Sequence, residues 1–133
     1  MRLENKKLGN LGEEMAEKYL RKKGYKILER NFRYKRYGEI DIIAKKGQDF
    51  HFVEIKTREI APNSPYMPED NITYFKKKQL IKLSKIYLAK NLSANKQKNS
   101  DIPWQIDVIA IEINPFNQEF KLRHIEQAIE DFR

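Results

Sequence analysis

Asp41 and the triplet Glu54-Ile55-Lys56 stand one short polar connection apart, and their types and spacing point to chemistry. Side chains two residues apart on a strand leave the same face. Glu54 and Lys56 are therefore expected to emerge together, with Val53 and Ile55 packed behind them. On the preceding segment Glu39 and Asp41 share a face, with Ile40 and Ile42 on the other. If the Asp41 and Glu54 faces coincide, two carboxylates supply the oxygen ligands that a small hard cation such as Mg2+ prefers, with Mn2+ as the alternative. Such an ion neutralises phosphate charge and acidifies an attacking water, and the Lys56 ammonium orients that water or offsets charge on the phosphate. The chemistry predicted is metal-dependent hydrolysis of a phosphodiester. A plainer reading stands beside it, because strand acids next to lysines often form cross-strand ion pairs on a solvated face.

Further residues take two readings each. Glu13, near the start of the first helix, is a metal ligand or water anchor if that helix packs over the site; otherwise it complements the helix N-terminus. Glu39 is an outer metal ligand or a surface partner for Arg36. Arg30, Arg33, Lys35 and Arg36 alternate with Phe32, Tyr34 and Tyr37. The charges, Arg33 and Arg36 among them, read as phosphate contacts and the aromatics as packing. Arg58 is a phosphate contact or the partner of Glu59 or another acid. Lys76, Lys77 and Lys78, continued by Lys82 and Lys85, form a second basic patch. His51 and His124 lack the spacing of a zinc site and read as packing residues. Leu8 to Gly12 has neither the dinucleotide fingerprint nor the P-loop ending.

The whole chain supports a polyanionic partner. Its 27 Lys and Arg exceed its 19 Asp and Glu, for a formal charge of +8. Such a surface concentrates nucleic acid. With no cysteine there are no disulfides, cysteine zinc sites or thiol nucleophiles. No apolar run approaches the roughly 18 to 20 residues of a membrane span. Met1 to Lys7 is not followed by the apolar stretch of a signal peptide. A cytoplasmic location, away from membranes, is expected, and 133 residues are most simply one domain, 1–133.

These residues must be positioned by a small set of elements. Leu8, Leu11, Met15, Ala16, Tyr19 and Leu20 recur at helical spacing, and Gly24 follows a basic last turn, so a helix is predicted over about 9–23. Tyr25 to Phe32 reads as a strand, followed by a basic turn to Gly38. Glu39 to Ala44 and Asp49 to Thr57 read as a hairpin joined around Lys45 to Gln48. Flexible loops are expected at 59–71, which holds three prolines, and at 91–101. Between them Ile72, Phe75, Leu80, Leu83 and Tyr87 mark the apolar face of a second helix. Gln105 to Ile113 has the β-branched density of a covered strand. Leu122 to Phe132 reads as a last helix, with Ile125, Ala128, Ile129 and Phe132 toward the sheet. The fold class predicted is α/β, or α+β by some schemes.

The segments Leu8-Gly9-Asn10-Leu11-Gly12-Glu13, Asn31-Phe32-Arg33, Gly38-Glu39-Ile40-Asp41 and Phe52 to Arg58 together resemble the YraN-like family of small bacterial proteins. That family looks like a branch of the PD-(D/E)xK nuclease superfamily, related in fold to archaeal Holliday-junction resolvases. The resemblance covers nearly the whole chain. It implies a restriction-endonuclease-like core with a four-stranded mixed sheet flanked by helices. It also implies that Asp41, Glu54 and Lys56 are the nuclease core, that Glu13 is its first-helix acid and that Lys76 is its helix lysine. The implied activity is a DNA endonuclease, and branched DNA enters only through the resolvases. Cutting two strands symmetrically would take a homodimer, which no patch of the sequence specifies. Two other functions compete: a non-catalytic nucleic-acid-binding module, and a structural or interaction protein for an acidic partner. The chain departs from the family in two places. It reads Gln105-Ile106-Asp107 where an Arg-aromatic-Asp segment is common, which points Asp107 to a structural or supporting role. Its 61–71 loop is also unusually rich in proline.

Overall fold

The computed structural model describes residues 4–92 and 102–131. Helix α1 (Asn5–Lys22) leads through Gly24, whose φ of +90° suits glycine, into β1 (Lys26–Arg33). Strands β2 (Glu39–Lys46) and β3 (Asp49–Glu59) follow, joined by a two-residue turn at Gly47-Gln48. Helix α2 (Tyr74–Leu92) crosses over to β4 (Trp104–Ile113), and β5 (Phe120–Ile129) ends the described fold. The strands lie in the order β1-β2-β3-β4-β5. All neighbours are antiparallel except β3 and β4, which run parallel. The fold is thus α+β with a mixed sheet of five strands, one more than expected.

The extra strand replaces the predicted last helix. Ile125, Ala128 and Ile129 do turn toward one side of the sheet, but a bulge sets their spacing. Ile106 pairs with Ile129 and Val108 with Ile125, so three residues of β4 span five of β5. Gln127 there has a φ of +49°. Extra residues in one strand shift the phase of its side chains and imitate helical spacing. Phe132 lies outside the described residues.

Two cores sandwich the sheet. Under α2, Leu80, Leu83 and Tyr87 pack on Ile40, Phe52, Ile106 and Val108. Under α1, Leu8, Ala16 and Leu20 pack on Ile42, Val53, Ile109 and Ile111. Phe75, expected in the α2 core, is 69% exposed, because it falls in the first turn of a helix that begins only at Tyr74. The aromatics of the β1–β2 region pack as predicted: Phe32 meets Tyr87 edge-on, and Tyr34 stacks on Tyr37. The proline-rich stretch is partly ordered by a short 3-10 helix, Pro68–Asn71, and by the bidentate Glu69–Arg123 pair at 2.7 Å. Residues 93–101, most of the second expected loop, lie outside the described residues.

Helix α1 approaches β3 closely at Gly12, where an added Cβ would overlap Thr57 Oγ1. Gly12→Ala should cost about 1–3 kcal/mol through overpacking, and Thr57→Ala should recover part of that loss. Urea unfolding of the single and double variants measures both.

Candidate active site

The site forms where β2 and β3 part. Their pairing ends at Ile42–Val53, and two residues further along β3 the Ile55 N–H donates to Asp41 Oδ2 at 2.8 Å. Strict alternation breaks here as well. Ile40 packs under α2 and Ile42 under α1, so the two isoleucines do not share the face predicted for them. The twist between them leaves Asp41 pointing into the gap. On β3 alternation holds: Val53 and Ile55 turn toward α1, opposite Glu54 and Lys56.

Asp41 and Glu54 are neighbours in this gap. Burial first, then the hydrogen bond and charge of Glu54, push the Asp41 carboxyl up to about 8, against the pull of Ile55 N–H and Lys76. Glu54 is 3% exposed. The Lys76 ammonium of α2 stands 3.9 Å from its carboxylate and donates to the Glu39 carbonyl at 3.2 Å. A second acid set shares Asp41, since oxygens of Glu13, Glu39 and Asp41 lie within 4.8 Å of one another. Burial and then the charge of Asp41 raise the Glu13 carboxyl too, with Arg30 opposing at 3.5 Å. Two open cavities, of about 480 and 510 Å³, meet at these groups. Glu39, Asp41, Ile55 and Lys56 wall both, Glu13 the first, Glu54 and Lys76 the second.

Asn31 belongs to one of the motif segments, and the fold gives it a part in the site. It sits on β1 between the pairs Arg30–Ile42 and Phe32–Ile40, opposite Asp41, with a φ of +55°. In the orientation that satisfies its neighbours, its amide nitrogen donates to Glu13 Oε1 at 3.1 Å and to Glu39 Oε1 at 2.7 Å. The adjacent carboxylates are thus tied by one donor. The signal available was asparagine itself, the non-glycine residue best suited to a left-handed backbone.

The predicted phosphate contacts are dispersed. Arg33 pairs with Glu39 at 2.7 Å, taking the partner assigned to Arg36, which is exposed on the β1–β2 turn. Arg58 pairs across strands with Glu112 at 3.1 Å. None of these three arginines lines either cavity, whereas Lys76 does.

A separate buried network ties α1 to the sheet. Asp107 Oδ2 takes His51 Nδ1 at 2.7 Å and His124 Nε2 at 2.8 Å. Its Oδ1 accepts from Gln105 Nε2 at 2.7 Å and from Gln127 N–H at 3.0 Å. The Tyr19 hydroxyl of α1 reaches His124 Nδ1 at 3.0 Å. A carboxylate only accepts, so both facing imidazole nitrogens carry hydrogen, and Tyr19 donates if His124 is neutral.

Residues 12–111, a span containing Glu13, Asp41, Glu54 and Lys56, match the uncharacterised protein family UPF0102. The chain belongs to that family. A UPF0102 protein of Geobacter metallireducens is 42% identical over 130 residues, covering 98% of each chain. One from Roseiflexus castenholzii is 38% identical over 94% of each. Among solved structures, calcium-bound SfsA of Pyrococcus furiosus is 17% identical with a TM-score of 0.42, covering 96% of this chain and 66% of that one. The UPF0102 match is the YraN family that the four sequence segments suggested. Among the described residues no helix is long and apolar enough to cross a membrane.

Proposed function

We propose that this UPF0102 protein is a metal-dependent DNA endonuclease with a restriction-endonuclease-like core. The observation that carries the reading is that Asp41 and Lys56 line two adjoining open cavities, one shared with Glu13 and the other with Glu54. The carboxylates suit a hard divalent cation: the oxygens of Glu13, Glu39 and Asp41 lie close together and Glu54 adjoins Asp41, so they repel one another unless a proton or a cation lies between them. Asp41, Glu54 and Glu13 would hold Mg2+ or Mn2+, which when bound supplies a more acidic water and neutralises phosphate charge. Asp41 is aimed by Ile55 N–H, and Lys76 holds Glu54 and the β2 backbone in place. Lys56, on the shared wall of the cleft, orients the attacking water or stabilises charge on the phosphate. Branched DNA and a cytoplasmic location accompany this reading, and symmetric incision of a branch would take two copies.

The test is cleavage of linear, nicked and branched DNA with Mg2+, Mn2+ or EDTA. Metal-dependent incision is expected. DNA bound but never cut would leave a binding module, and no binding to DNA or RNA at low salt would leave an interaction protein. Asn31→Gly keeps the backbone conformation while removing the amide, and should weaken Mn2+ binding about 10–100-fold, as loss of supporting hydrogen bonds to ligands does. Titration calorimetry with Mn2+ measures it.

A further inference from the structure

We propose that Tyr74 and Phe75, in the first turn of α2, stack on unpaired DNA bases, so that the preferred substrate carries a single-stranded segment beside the bound phosphate. The inference deepens the nuclease reading and rests on it for the placement of that phosphate.

Large exposed aromatics call for a partner, and here they are concentrated. Among the described residues six large hydrophobic side chains are strongly exposed, and four of them fall within residues 66–75. Tyr74 is 71% and Phe75 69% exposed. Phe75 does not extend the buried stripe of α2, because Gln79 lies one turn further along its face, whereas Tyr74 stands at the open end of the face that carries Ile81. Their chain neighbours Thr73 and Lys76 line the cavity that holds Asp41, Glu54 and Lys56. The first turn of α2 therefore borders that cavity, while the Tyr74 ring lines a neighbouring one with Lys77, Lys78 and Ile81.

Charge selects the occupant. Lys76, Lys77 and Lys78 follow the two rings, and the Lys78 ammonium lies over one face of Tyr74, 4.7 Å from its centroid. Lysines beside exposed rings match a strand whose phosphates meet the charges while its bases meet the aromatic faces. A continuous duplex hides those base faces in its own stack. A gap, a flap or a free single strand presents them.

The experiment is a binding comparison in EDTA, so that it needs no turnover. One probe is a gapped duplex carrying 2-aminopurine in its unpaired stretch, the other a continuous duplex of equal length. The wild type should bind the gapped probe about ten-fold more tightly and quench its fluorescence. In Tyr74→Leu/Phe75→Leu, which keeps apolar bulk without the rings, that ratio should fall about ten-fold, the scale of one lost base–aromatic stack. A wild-type ratio near one, or a ratio unmoved by the double variant, overturns the proposal. So does a wild-type dimer that the double variant splits, seen by sedimentation, with DNA preference unaltered; a second copy would then cover the rings. A ratio that falls as expected in a protein that never cuts DNA would sink the nuclease reading alone.

Discussion

Asp41→Asn is expected to lower metal-dependent cleavage at least 10³-fold, about 4 kcal/mol of transition-state stabilisation, while the protein stays folded. Asparagine can still accept the Ile55 N–H through its carbonyl oxygen, so the parting of β2 and β3 persists. What is lost is one negative oxygen in the carboxylate cluster proposed to hold the cation. Lys56→Ala removes a half-buried wall of the cleft and should cost about 10²–10³-fold, as the loss of one charge-stabilising donor does. Single-turnover cleavage, with circular dichroism as the folding control, measures both. If either variant cleaves like the wild type, the assigned chemistry is wrong.

The same substitution should change stability in the opposite direction. In the folded metal-free protein the Asp41 carboxyl holds its proton up to about pH 8, whereas its ordinary value is 3.8. Folding therefore takes up a proton between those values. Stability associated with the protonated group is fully present below 3.8 and is lost as pH rises through about 8. Asp41→Asn carries no such penalty and should stabilise the metal-free protein at pH 8 by about 0.5–2 kcal/mol, the range gained on relieving a strained site. A metal held by Asp41 as proposed would have to displace the same proton, so apparent affinity for Mn2+ should climb with pH and level off above about 8. Chemical unfolding and calorimetry across pH 5 to 9 test these two trends.

Much of this site was legible because β3 is regular. Glu54 and Lys56 emerge together for the reason any i, i+2 pair does, and the two-residue turn at Gly47-Gln48 brings β2 alongside. What failed was the assumption that regularity continues. Ile40 and Ile42 were expected to share a face, but the sheet opens between them, and that opening admits Asp41 to the cleft. β5 failed for a related reason: a bulge at Gln127 gave Ile125, Ala128 and Ile129 the spacing of a helix. Asn31 and the partners of Asp107 were illegible because they depend on contacts between segments far apart in the chain. His51 and Asp107 are separated by 56 residues, and Tyr19 and His124 by 105. Gln105, read as a departure from the resemblance, has a local role, since its amide donates to Asp107 at 2.7 Å.

Asp107→Asn should be the most destabilising single polar substitution in the described fold. The fully buried carboxylate accepts from His51, His124, Gln105 and Gln127, and through His124 reaches Tyr19 on the helix that carries Glu13. An asparagine in its place turns an NH2 group toward donors at one of these two oxygens. Removing one side of a buried charged network costs about 3–5 kcal/mol, which for a chain of this size lowers Tm by roughly 10 °C or more. Burial alone would raise the Asp107 carboxyl, but the hydrogen bonds from His124, His51, Gln105 and the Gln127 amide outweigh it and hold the group well below its ordinary 3.8. Its contribution is therefore present above 3.8 and is lost as pH falls through the lower folded-state value. The wild type should lose stability steeply below pH 4, whereas Asp107→Asn, already weakened, should show a shallower acid limb. Thermal melts from pH 2 to 7 read both slopes, and equal slopes would mean that other carboxylates govern acid unfolding. Because Tyr19 and Glu13 share α1, the variant should also loosen Glu13 and lower cleavage at temperatures where the protein remains folded. A Tyr19→Phe variant, which removes only the hydroxyl joining the network to α1, should reproduce that smaller loss of cleavage at a cost of about 0.5–1.5 kcal/mol.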